Sequence, residues 1–206
     1  MDLARLAVFV SGEGTNLEAV REAADSGEIP AEVGLVVADR PCPALARAEA
    51  WGLPALLLDR RLLSREETDR ELKRSLQVGG VTHLVLAGYL RRIGPGVVET
   101  FQDRALNLHP SLLPAFPGLD AIGQALSAGV KVTGVTVHLL DDGIDTGPIV
   151  YQEPISVRPG ESRDSLRERL RPLEHRAIVV ATKWMVEGRL ERRGRHVHVK
   201  EEVPSP

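Results

Sequence analysis

The first half of the chain repeats one pattern: a short unbroken apolar run, a turn, then apolar residues spaced three and four apart. Residues 6–10 and 33–38 are such runs, and residues 54–58 and 83–87 are shorter versions. A run of this length bounded by turn residues reads as a strand buried on both faces. Leu17, Val20 and Ala24 fall on one face of a helix that Thr15 or Asn16 is placed to cap. Residues 44–51 read as a second helix and residues 64–76 as a charged amphipathic one. This alternation predicts a Rossmann-like α/β domain, a mostly parallel twisted sheet with helices on both faces.

The pattern changes after residue 130. Residues 132–140 and 149–157 are both strand-like, and the short DDGIDTGP turn between them predicts an antiparallel pair. Residues 162–187 read as one long C-terminal helix, with Pro172 inside it, where a kink or local break is expected. The ending HVHVKEEVPSP reads as a short strand followed by disorder. Residues 1–195 are thus expected to form a single domain and residues 196–206 a short flexible tail.

Composition narrows the classes. A length of 206 residues fits one large domain that needs no covalent staple. A formal net charge of −3 provides no overall basic field for nucleic acid. Cys42 is the single cysteine, which excludes an internal disulfide and a multi-cysteine metal site and suits a reducing compartment. The N-terminal apolar run is too short to span a membrane and leads into a Gly-rich turn. A soluble cytoplasmic protein, monomer or homodimer, with no membrane or nucleic-acid partner is the expectation.

Three segments carry candidate chemistry. SGEGTN ends the first strand and opens the first helix, where glycines admit close approach and helix-start N–H groups favour phosphate. It lacks the third glycine of a dinucleotide fingerprint and the lysine of a P-loop, so phosphate binding and a plain structural turn stay equally open. In RALNLHPSLLP, Asn107 and His109 share one strand face just before Pro110, at the strand end where open α/β sheets bind ligands. An Asn amide can stabilise an oxyanion and a His can move protons, while a turn Asn beside a buried His is the other reading. Asp145, in DDGIDTGPI, is either a solvated turn acid or a carboxylate that would favour a nearby imidazolium.

Taken together, NLHPSLLPAFPG and the downstream VTVHLLDDGIDTGPI resemble the folate-dependent formyltransferases, from about residue 6 to about residue 190. SGEGTN at the start and LEH in the long helix are most similar to members acting on glycinamide ribonucleotide. The resemblance implies transfer of a formyl group from 10-formyltetrahydrofolate, a co-substrate, to the amine of that ribonucleotide in purine biosynthesis, with no metal. It implies that Asn107, His109 and Asp145 are catalytic, with His138 in support. Gly12, Glu13, Gly14, Thr15 and Asn16 would cradle the ribonucleotide phosphate, near Arg65, while Arg171 and Glu174 would meet phosphate and ribose. Leu90, Arg91, Arg92 and Ile93 would face Asp141, Gly143 and Asp145 across the folate, with Asn107 beside them. Two departures stand out: Asp120 replaces a family histidine, placing an anion near the substrate, and Arg92 replaces an apolar residue. A formyltetrahydrofolate deformylase, a formyltransferase using another amine and a weakly catalytic binding homologue remain alternative expectations.

Overall fold

The structure is a computed structural model and describes residues 3–59 and 61–201. In chain order the elements are β1 (Ala4–Val10), α1 (Thr15–Asp25), β2 (Ala31–Ala38), α2 (Pro43–Ala50), β3 (Ala55–Leu57), α3 (Arg65–Val78), β4 (His83–Leu86) and α4 (Pro95–Thr100). The chain continues through β5 (Ala105–His109), α5 (Ala121–Ala128), β6 (Val132–Leu139), β7 (Ile149–Ser156), α6 (Arg163–Val186), β8 (Leu190–Arg193) and β9 (His196–Val199). They build one nine-stranded sheet in the order β3-β2-β1-β4-β5-β6-β7-β9-β8. β1 to β5 are mutually parallel, and β6 runs antiparallel to both β5 and β7.

The unbroken apolar run of β1 is explained by burial on both faces. Leu6, Val8 and Val10 join the core formed with α1 and α6, whereas Ala7 and Phe9 join the core under α3 and α4. After β1 the chain turns to β2 on one side, and β4 returns on the other, so the order reverses between β1 and β4. The loops leaving β1 and β4 diverge there, opening a crevice at the C-terminal ends of the strands.

Local chemistry sets several boundaries. Ser64 caps α3 through a full capping box with Glu67. At α1 the expected capping by Thr15 or Asn16 does not occur. Gly14 is the N-cap, at φ 80°, and no side chain among the described residues caps the helix. A Cβ on Gly14 would also lie 2.6 Å from the Ala44 Cβ, so both conformation and the approach of α2 require glycine.

The break expected at Pro172 is absent: α6 runs 24 residues without interruption. The carbonyl that loses its partner belongs to Glu168, and both residues are exposed, so water can satisfy it. The strand expected near the C-terminus is part of a hairpin. β9 joins β7 in parallel and β8 antiparallel, so a boundary at residue 195 falls inside the turn. His196 and His198 are exposed, yet β8 rather than β9 forms the sheet edge. Residues 202–206 of the expected tail lie outside the described residues. Among the described residues no helix is long and apolar enough to cross a membrane.

The sheet carries one acid-sensitive group. Burial, then the Arg104 charge, pushes the His83 pKa from 6.5 down to about 4. An unfolded chain protonates this histidine near its ordinary value, so His83 contributes stability above about pH 6.5 that is lost as pH falls toward 4. His83→Asn is therefore expected to flatten the fall in Tm between those pH values, as read by thermal denaturation across a buffer series. An unchanged slope would remove His83 as a cause.

Candidate active site

A cavity of about 670 Å³ opens at the crevice between β1 and β4. It brings together all three sequence candidates: the turn after β1, the end of β5 and the loop between β6 and β7. Asn107 and His109 project from β5 on one face, as the two-residue spacing requires. Asp145 comes from the loop that returns β6 to β7, and it holds a left-handed conformation at φ 53°. Such a conformation costs a non-glycine residue on the order of 1–3 kcal/mol and persists only where the surroundings enforce it.

The enforcement is visible around the Asp145 carboxylate. Its Oδ2 accepts from the Gly118 N–H at 2.7 Å and lies 3.3 Å from His109 Nδ1. Its Oδ1 accepts from Asn107 Nδ2 at 3.2 Å. Burial raises the pKa of this acid, but the His138 ring, the Gly118 N–H and His109 outweigh burial and hold it below the usual aspartate value.

His109 is buried between two acceptors. Its Nε2 donates to the Phe116 carbonyl at 2.8 Å, while Nδ1 faces Asp145. Only a doubly protonated ring donates to both. Burial is the larger influence and sets its pKa below the ordinary histidine value, with Asp145 and the Phe116 carbonyl pushing the other way. A ring balanced in this manner takes up or releases a proton with small changes around it.

His138, on β6, pairs across the ladder with Asn107. Its Nδ1 is 2.8 Å from the Leu139 carbonyl and its Nε2 is 3.1 Å from Asn107 Nδ2. Its Nε2 also lies 3.6 Å from Asp145 Oδ1, so one ring nitrogen faces both the Asn107 amide and the carboxylate. The Asn107 amide nitrogen thus donates to Asp145 and contacts His138.

The far end of the cavity is made by the turn after β1. Gly12, Glu13, Gly14, Thr15 and Asn16 all line it. The uncapped start of α1 leaves its first N–H groups to whatever occupies this end. Asn16 Nδ2 donates to Glu174 Oε2 at 3.3 Å, and Asn16 Oδ1 is buried with no hydrogen-bond partner among the described residues. Burial raises the Glu174 pKa above the usual glutamate range, against the Asn16 hydrogen bond. Arg171 lines the same end, joined by Arg167 one turn earlier on α6. Arg167 was missed in the sequence, although its four-residue spacing from Arg171 puts both on one helix face. Arg65 opens α3 as an exposed residue and is not among the lining side chains.

At the other end, Leu90, Arg91, Arg92 and Ile93 face Asp141, Gly143 and Asp145. Leu90, Leu119 and Ile144 are large apolar side chains exposed at this cavity. Arg91 Nη1 is buried with no hydrogen-bond partner among the described residues. Arg92 turns away from an apolar role and donates to the Asp142 carbonyl. Asp120 does not present a bare anion to the cavity. It caps α5 by accepting from the Gly123 N–H and pairs with Arg163 at the start of α6. Among the described residues no group of three or more His, Cys, Asp or Glu is placed to hold a metal ion.

Residues 4–182 match the formyl transferase family model. The chain belongs to the formyl transferase family. It is 38% identical over 174 residues to phosphoribosylglycinamide formyltransferase of Bacillus subtilis, covering 84% of this chain and 89% of that one. It is 41% identical over 181 residues to phosphoribosylglycinamide formyltransferase of Mycobacterium tuberculosis, covering 86% and 83%. The crystal structure of glycinamide ribonucleotide transformylase 1 from Symbiobacterium toebii superposes with a TM-score of 0.93 at 42% identity, over 97% of this chain and 95% of that one.

The geometry makes the state of His109 depend on Asp145. Replacing Asp145 with Asn removes the charge that favours the imidazolium, so the His109 pKa is expected to fall further. Titration of the histidine ring signals by NMR checks this, and an unmoved His109 titration would show that the carboxylate does not govern the ring.

Proposed function

We propose that this formyl transferase moves a formyl group from 10-formyltetrahydrofolate to the amine of glycinamide ribonucleotide, a step of purine biosynthesis. The observation that carries the reading is the joining of two unlike ends by one reactive centre. A Gly-rich helix start with Arg167 and Arg171 suits a phosphate, and the Asn107–His109–Asp145 cluster lies between it and an apolar, arginine-bearing end. The relatives named for this activity at 38% and 41% identity support the choice of acceptor.

Each end has a fit to its substrate. The ribonucleotide phosphate would take the N–H groups at residues 12–16, with Arg167 and Arg171 supplying charge, and Glu174 would accept from the ribose hydroxyls. The buried, partnerless Asn16 Oδ1 offers a further acceptor there. The folate would lie between residues 90–93 and the 141–145 loop, where exposed leucine and isoleucine side chains suit its aromatic body. The partnerless Arg91 Nη1 suits one of its oxygens.

The reaction forms a bond from the amine nitrogen to the formyl carbon and breaks the bond from that carbon to the folate nitrogen, which gains the proton the amine loses. Negative charge develops on the formyl oxygen. In the free site the matching donors are turned inward, Asn107 to Asp145 and His138, and His109 to the Phe116 carbonyl. A substrate oxygen would take over one of those hydrogen bonds. Asp145 holds the charged form of His109 and relays the proton through water. No side-chain nucleophile is needed.

Purified protein is mixed with 10-formyltetrahydrofolate, with and without glycinamide ribonucleotide, and the folate product is followed by absorbance. Product that requires the ribonucleotide is the expected result. Product in its absence would assign a deformylase, and none in either mixture would point to another acceptor or to a binding protein. Asn107→Ala is expected to lower kcat by about 10²–10³, the usual loss for one oxyanion donor. Retained kcat in that variant would exclude its amide from the reaction.

A further inference from the structure

The loop that carries Asp145 is held both from within and from outside. Within it, the Asp141 carboxylate accepts from the Gly143 N–H at 3.0 Å and from the Thr146 hydroxyl at 2.8 Å. A Cβ on Gly147 would lie 1.7 Å from the Leu139 carbonyl oxygen, so the loop exit is pressed against the end of β6. From outside, two guanidinium groups donate to backbone carbonyls on either side of Asp145. Arg92 reaches the Asp142 carbonyl from the loop after β4. Arg195 reaches the Thr146 carbonyl at 2.9 Å from the turn of the β8–β9 hairpin.

We propose that Arg195 is a positioning residue for the formyl transfer, bracing the 141–147 loop through the Thr146 carbonyl so that Asp145 keeps its grip on Asn107, His109 and the Gly118 N–H. The inference rests on the formyl-transfer reading of the site and adds to it an element outside the matched family region, which ends at residue 182. The hairpin is fixed enough to serve as a brace. His196, next to Arg195, pairs with Ile149 on β7, and Arg192 pairs with Asp103 at 2.8 Å. The Arg195 side chain itself is exposed, so it contributes little to the core. A guanidinium donating to a carbonyl one residue past Asp145 controls where that acid sits, and displacements of about 1 Å in a reacting group can cost ~10²-fold in rate.

The test compares wild type with Arg195→Ala, Arg195→Lys and the control Arg193→Ala, whose side chain pairs with Glu191 inside the hairpin. For each, kcat, both KM values, Tm and hydrogen exchange of the 141–147 amides without substrate are measured. Arg195→Ala is expected to speed exchange in that loop and lower kcat by roughly 10- to 100-fold, with Tm and the ribonucleotide KM unchanged. Arg195→Lys should recover part of the rate, since an ammonium can still donate to the carbonyl. The control should match wild type. Unchanged loop exchange, or unchanged kcat, in Arg195→Ala overturns the brace, as does an equal loss in the control. Exchange needs no substrate, so a wild-type protein without turnover on the ribonucleotide would refute the acceptor alone.

Discussion

The site is organised by one carboxylate shared among donors from distant parts of the chain. Asp145 meets Asn107 and His109 from β5 and the Gly118 N–H from the segment leading into α5. A carboxylate largely withdrawn from water is tolerated only when such partners replace that water. Here they hold the carboxylate ionised despite burial. Remove it, and two polar side chains lose their common acceptor while His109 loses the charge that favours its protonation. Asn107, His109 and His138 therefore form one network around the carboxylate.

Backbone strain concentrates around that carboxylate. Phe116, Asp120 and Asp145 all adopt left-handed conformations, at φ 56°, 61° and 53°. Each has a reason. Phe116 presents its carbonyl to His109, Asp120 caps α5, and Asp145 turns its carboxylate back to β5. The strain is held by hydrogen bonds outside the turns, including those from Arg92 and Arg195 to the loop. This arrangement keeps the acid in place before substrate arrives, which is what electrostatic preorganisation requires.

The two ends of the cavity differ in how they meet a ligand. Among the described residues, no side chain caps the N–H groups at the start of α1, and the neighbouring Asn16–Glu174 contact leaves an oxygen unpaired. The opposite end offers exposed apolar side chains and a guanidinium nitrogen with no hydrogen-bond partner among the described residues. Unsatisfied groups of opposite character, separated by a network that is internally satisfied, match a reaction that joins a phosphorylated amine to a group carried on an aromatic donor.

Much of this protein was legible in local sequence. The apolar runs gave the parallel strands, because strands buried on both faces must be apolar throughout. The two-residue spacing of Asn107 and His109 put them on one face, because side chains alternate along a strand. The motifs around them pointed to the formyl transferase family. Helices α4 and α5 and strand β8 were not foreseen: all three are short, eight residues or fewer, so their periodicity carries little signal. The capping of α1 was misplaced because Gly14 is fixed by contact with Ala44, a residue of another helix. Asp120 does line the cavity, as expected of an anion near the substrate, but its partner Arg163 lies 43 positions away on α6 and could not be read locally. Arg167 was legible from its four-residue spacing to Arg171, whereas Arg195 has no distinguishing neighbours until the hairpin meets the 141–147 loop. Sequence determines which side chains share a strand or a helix face, since that follows from a few consecutive residues. Which distant donor reaches which carbonyl is decided only when the sheet, the loops and the hairpin meet.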